Sequence, residues 1–137
     1  MIQKKINWMN LPDEYASDDS KFVILPIAYE KHLTYGDGAS QGSFAIIDAS
    51  RHLEYYDDQF ESEPFLEGIK LFEPLRLTDE SPEDMVQLVS NKVKSAISAG
   101  VDGTGNNGAG NDGQQKIENK DKFIIGFCGD PAVTIGM

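Results

Sequence analysis

Phe22, Val23, Ile24 and Leu25 follow one another with no polar residue between them. A strand with one wet face alternates apolar and polar residues. A continuous run suits a strand covered on both faces, as in parallel α/β sheets. A second run of this kind, 122–127, holds Phe123, Ile124, Ile125 and Phe127 and enters the turn Cys128-Gly129-Asp130-Pro131. In open α/β sheets ligands sit outside the carboxyl ends of the strands. The two runs therefore indicate both a fold class and the edge at which function would be built.

The residues between the runs supply the crossovers. Pro26 removes a ladder donor, so regular pairing of the first strand is expected to end near it. The loop 34–42 carries Gly36, Gly38 and Gly42, which lets the backbone turn sharply. From Ser43, a candidate N-cap, the spacing of Phe44, Ile47 and Leu53 predicts a helix to about Leu53. Over 68–75, Ile69 and Leu71 alternate with Lys70 and Phe72, which predicts a second strand closed by Pro74.

The segment 81–100 carries a full set of helix signals. Ser81 caps, Pro82 takes the first helical position, and Glu83 and Asp84 sit at the positive end of the dipole. Met85, Leu88, Val89, Val93, Ala96 and Ile97 form one stripe, and Gly100 is the expected stop. Between Gly100 and Gly113 lie six of the chain's 13 glycines, mixed with Asn and Asp. Such a composition buries too little surface to offset its ordering entropy, so 100–121 is expected to be a flexible insertion.

Strand, helix, strand, helix, strand with right-handed crossovers gives a parallel sheet with helices on its faces. At 137 residues the chain is expected to form a single domain over 1–137. No helix is expected after the last strand, which would leave an open edge and expose Phe123, Ile125 and Phe127.

Composition narrows the function classes. Lys and Arg number 12 against 23 Asp and Glu, a net charge of -11. No basic cluster is present to displace counterions from a phosphate backbone, so a nucleic-acid partner is not expected. Cys128 is the only cysteine, so no internal disulfide forms and an oxidising compartment is not suggested. No run approaches the roughly 18 apolar residues of a membrane helix. The expectation is a cytoplasmic protein with no membrane contact.

Familiar catalytic patterns are missing. Ser40 and Ser43 lack the Gly-x-Ser-x-Gly setting of a hydrolase elbow. Gly36 to Gly42 lacks the Lys-Ser/Thr of a phosphate loop and the spacing of a dinucleotide loop. His32 and His52 are far apart, and the acidic segments 13–19 and 55–63 read as solvated loops. Cys128 has no cation beside it in sequence to lower its pKa, so it reads as inert.

The segment from Lys21 to Asp57 nevertheless resembles the opening of the ureohydrolases, the family of arginase, agmatinase and formimidoylglutamase, and is closest in style to the agmatinases. The resemblance rests on Pro26 and Tyr29 at the strand end, and on Tyr35, Gly36 and Gly38 in a Tyr-Gly-x-Gly loop. It continues through Gly42, Ala45, Ile46, Ala49, Ser50, Leu53, Glu54, Tyr56 and Asp57. Ser43 stands where that pattern has proline. The likeness covers most of 7–99 and resumes over 122–137.

The resemblance implies an arginase-like, three-layer α/β/α domain with a parallel sheet, here incomplete, as a truncated amino-terminal half. It implies a family reaction, hydrolysis of a guanidine C–N bond with release of urea, that depends on two manganese ions. It also implies where that chemistry fails. The family's third strand ends in Gly-Gly-Asp-His-Ser, whose histidine binds metal. Laid on that motif, Cys128, Gly129, Asp130, Pro131 and Ala132 put a proline at the ligand position. Proline has no donor for a metal, although it suits the first turn of a helix. The family's Asp-x-His-x-Asp and later Asp-x-Asp ligand motifs are absent from the chain. The expectations are therefore no catalytic residue, no metal ligand, no cofactor, and a pseudoenzyme. Its partner would be a second copy or a full-length ureohydrolase subunit; alternatively, the chain is the amino-terminal piece of a split or longer enzyme.

Overall fold

The computed structural model describes residues 6–31, 36–98 and 122–137. Its centre is β1 (Phe22–Ala28), buried from Val23 onward as a continuous apolar run demands. Along one side it pairs in parallel with β4 (Phe123–Cys128), from Phe22↔Phe123 to Ile27↔Cys128. Along the other side two short parallel strands share it: β2 (Ile69–Leu71) against Phe22–Ile24, and β3 (Leu75–Arg76) against Ile27 and Ala28.

Two expectations about the strands are corrected. Pairing does not end at Pro26; β1 runs on to Ala28, and Pro26 itself lies opposite Phe127. The hydrogen bonds give the reason. Phe22 N donates to Gly68 O and Ile24 O accepts from Phe72 N, so the even-numbered groups of β1 point toward β2 and β3. Lys21 O accepts from Phe123 N, so the odd-numbered groups point toward β4. The donor that Pro26 lacks would face the broken edge, and the β4 ladder loses nothing. For the same reason 68–75 is two strands instead of one. From Ile24↔Leu71 to Ile27↔Leu75 takes three steps on β1 and four on the edge, a one-residue bulge beside Pro26 that contains Pro74.

The first helix is displaced from its expected place. It is α1 (Ala39–Ala49), extended by a 3-10 turn at Ser50–His52, so Ser43 is an interior, buried helix residue and no cap. Leu53 follows the helix and is exposed. The second helix, α2 (Pro82–Ser98), begins as read: Ser81 Oγ accepts from Asp84 N at 3.2 Å and donates to the Asp84 carboxylate at 2.8 Å. Met85, Val89, Val93 and Ala96 are buried, but Leu88 and Ile97 stand at the solvent margin of the stripe. Gly100 and the insertion 100–121 lie outside the described residues.

Leu25, Ile27 and Tyr29 of the central strand segment join Leu77, Met85, Val89, Val93 and Val133 in one cluster. No residue of α1 takes part in it; α1 lies against β1 and β4 from the opposite face. The result is the expected three-layer α/β/α arrangement. A helix does follow β4, contrary to expectation: the 3-10 helix Pro131–Gly136, which buries Val133 against α2. Phe123 is 61% exposed, as read, whereas Ile125 and Phe127 are half-buried. Trp8 supplies cover for Phe127, with ring centroids 5.6 Å apart.

The α2 stripe gives a direct test. Met85 is fully buried and Leu88 39% exposed. Met85→Ala is expected to lower the unfolding free energy by about 2–5 kcal/mol and Leu88→Ala by less than about 1 kcal/mol. Urea titration of both variants checks this, and equal losses would contradict the placement of the helix.

Candidate functional site at the carboxyl ends of β1 and β4

Adjacent strands β1 and β4 send their chains to opposite faces of the sheet, β1 through α1 and β4 through the 3-10 helix on α2. Such a divergence opens a crevice beyond the strand ends, the place where doubly wound sheets bind ligands. Around these strand ends stand Tyr29 and Glu30 after β1, Gly36 to Ser40 leading into α1, and Cys128 to Ala132 after β4; the cavity there, about 300 Å³, is lined by Ala28, Glu30, Ser40, Gln41, Arg76, Leu77 and Thr78.

Glu30 organises the α1 side. Its carboxylate accepts from Gly38 N and Ser40 N, both at 2.8 Å, and so caps α1 from eight and ten residues upstream. These backbone donors hold its carboxyl below the usual carboxylate range. Gly36 and Gly38 have φ of 67° and 98°, so the loop needs glycine for its backbone conformation. Tyr35, singled out with them, lies outside the described residues, as does His32.

Gly129 joins the two sides. A Cβ there would lie 2.6 Å from Ala39 Cβ and closer still to Ala39 O. The turn after β4 is therefore seated directly on the start of α1. Asp130, only 2% exposed, accepts from Ala132 N at 2.9 Å and caps the 3-10 helix, with Pro131 in its first turn. The Thr134 hydroxyl donates to Pro131 O at 2.7 Å, closing that turn.

Burial pushes the half-buried Cys128 thiol up, and Asp130 adds to the shift, so it stays protonated and a poor nucleophile at neutral pH. Burial raises the Tyr29 phenol too, aided by Asp130, Glu80 and Glu83. Neither the Tyr29 hydroxyl nor Ser43 Oγ has a hydrogen-bond partner among the described residues. His52 is exposed beyond α1 and remote from the crevice.

A pair of manganese ions does not fit this donor set. The Pro131 side chain has no donor atom, Asp130 is engaged by a backbone amide, and the Cys128 proton is held on by its surroundings. Among the described residues no three His, Cys, Asp or Glu side chains are grouped to hold a metal. Tyr29 was marked in the sequence only as part of the strand-end motif, and Glu30 not at all. The only local signal was their place one and two residues past the strand end, because the cap that Glu30 makes is tertiary.

Two expectations follow from this geometry. Gly129→Ala is expected to cost about 1–3 kcal/mol by forcing β4 and α1 apart, read as a shift in the urea midpoint. Glu30→Gln removes a carboxylate whose folded pKa lies below its ordinary 4.5. Such a group adds stability above its unfolded pKa and loses it as pH falls through the folded value. The Tm gap between wild type and Glu30→Gln is therefore expected to be full at pH 7 and to narrow below about pH 4.5; a gap that widens on acidification would refute the cap.

No family model matches the chain. It is 28% identical over 120 residues to the N(1)-aminopropylagmatine ureohydrolase of Synechocystis sp., a match that covers 87% of the chain and 34% of that protein. Its fold matches the crystal structure of the agmatine ureohydrolase of Thermoplasma volcanium with a TM-score of 0.62 and 18% identity, over 87% of the chain and 33% of that structure. The chain thus spans about a third of the length of the proteins it matches. No helix among the described residues is long and apolar enough to cross a membrane. Sequence and fold agree with the motifs read at the outset: over the length it spans, the chain is similar in sequence and fold to agmatinase-like ureohydrolases.

Proposed function

We propose that this chain is an agmatinase-like ureohydrolase homologue that keeps the crevice of its family and has lost the metal chemistry. One observation carries the reading: the turn Cys128-Gly129-Asp130-Pro131-Ala132 closes the site as a helix start, with proline where the family motif has its histidine. The side chains around it hold backbone amides in place of a metal. On this reading residues 1–137 belong to one ureohydrolase-like domain, spanning about a third of the length of its matches and carrying an insertion at 100–121. The family reaction, hydrolysis of a guanidine C–N bond of an agmatine-like substrate, does not proceed on this chain by itself. Its surroundings are those of a cytoplasmic protein working in an assembly, with neither nucleic acid nor membrane as partner.

The test is metal uptake and turnover. Calorimetric titration with Mn²⁺ is expected to show no tight, stoichiometric binding of two ions, and the chain is expected to release no urea from agmatine. Pro131→His with Ala132→Ser is expected to leave both results unchanged, since one imidazole cannot assemble a two-metal site that draws ligands from several strand ends. Urea release by the double variant above a metal-free control would overturn the reading.

A further inference from the structure

A cavity of about 650 Å³ lies between α1 and the broken β2–β3 edge. Phe44 and Ile47 of α1 and Leu71 and Pro74 of the edge give it apolar walls. Small-molecule sites have roughly this size, about 300–1,000 Å³, and combine apolar walls with a few fixed polar groups. Five charged side chains also border the cavity: Asp48, Arg51, Lys70, Glu73 and Arg76. Four of them are already matched. Arg51 pairs with Asp48 at 3.2 Å, Glu73 with Lys92 at 3.8 Å, and Lys70 with Asp18. Arg76 is the exception. It has no carboxylate partner among the described residues, in a chain with 23 Asp and Glu. Its guanidinium lies over the Phe44 ring instead, 4.4 Å from the centroid. The backbone beneath it is fixed by the pairing of β3 with β1, Ala28↔Arg76. An arginine held this way keeps its planar fork of donors free and ordered before any ligand arrives.

We infer that this cavity binds a small carboxylate with an apolar body, its carboxylate on the Arg76 guanidinium and its body among Phe44, Ile47, Leu71 and Pro74. A carboxylate accepts two parallel N–H bonds from the guanidinium fork, the geometry in which this ion pair is strongest. One unmatched cation answers one negative charge. A phosphate dianion would bring a second charge beside Asp48 and Glu73, in a chain whose net charge is already -11. A neutral apolar molecule would cover the guanidinium without pairing it, which costs its hydration. The walls select the body, and Arg76 selects the head.

Nuclear magnetic resonance titration of the isotope-labelled chain tests the site, with hydrocinnamate as the probe. Hydrocinnamate is expected to bind saturably at millimolar concentration or below, shifting resonances of Phe44, Ile47, Leu71 and Arg76. Hydrocinnamamide has the same shape without the charge, and phenyl phosphate carries two charges at neutral pH; each is expected to bind at least tenfold more weakly. Arg76→Gln is expected to weaken hydrocinnamate at least tenfold and to leave hydrocinnamamide unchanged, and Arg76→Lys to recover part of the loss. Should Arg76→Gln disturb the fold, which the same spectra reveal, the comparison of acid and amide on the wild-type chain decides alone. The inference is overturned if hydrocinnamate shows no saturable binding at millimolar concentration, or if the amide binds as tightly as the acid. It is equally overturned by tighter binding of phenyl phosphate, by shifts confined to other parts of the chain, or by a folded Arg76→Gln that binds like the wild type. None of these outcomes bears on manganese uptake or urea release, so failure of this site and failure of the proposed function are separately visible.

Discussion

The fold depends on β1 hydrogen-bonding along both sides while both faces are covered. Val23, Leu25 and Ile27 direct their backbone groups to β4, and Phe22, Ile24 and Ala28 direct theirs to the broken edge. A strand so placed has no solvent to satisfy a stray backbone group, so its neighbours must supply every partner. Pro26 is the one residue that withdraws a donor, and the sheet breaks on the side toward which that donor would have pointed. The bulge at Phe72–Pro74 is thus a local answer to a constraint set in the central strand.

The same strand positions the crevice. Because β1 and β4 run parallel and hand their chains to opposite faces, their ends must diverge, and the described residues 29–31, 36–40 and 128–132 border the gap. Here those residues are occupied with holding one another. Glu30 takes the amides at the start of α1, Asp130 takes the amide of Ala132, and Gly129 rests on Ala39. A site whose polar groups already satisfy the backbone has few left for a ligand.

The layers, the parallel strands and α2 were legible in the sequence because their signals are local or periodic. Phe22 to Leu25 is an unbroken run, and Ser81-Pro82 with the stripe beginning at Met85 can be read in one window. The start of α1 was not legible. Ser43 has the chemistry of a cap, but the cap is made by Glu30, which reaches the helix only after β1 has folded back on it; no local propensity encodes that reach. Pro26 misled for a related reason. Whether a missing donor ends a strand depends on which neighbour it faces, and that is a property of the sheet. At the site, Gly129, Asp130 and Pro131 could be placed at a strand end from sequence, whereas the burial of the Tyr29 hydroxyl, without a partner among the described residues, emerges only from packing.

The contact of Gly129 with Ala39 seats the backbone after β4 against the backbone and the small side chain that open α1. The contour of such a contact does not depend on which functional groups flank it. Side chains at 128, 131 and 132 therefore set the chemistry beside this contact without setting its outline. A cleft of this kind takes its form from the backbone and its chemistry from the side chains beside it.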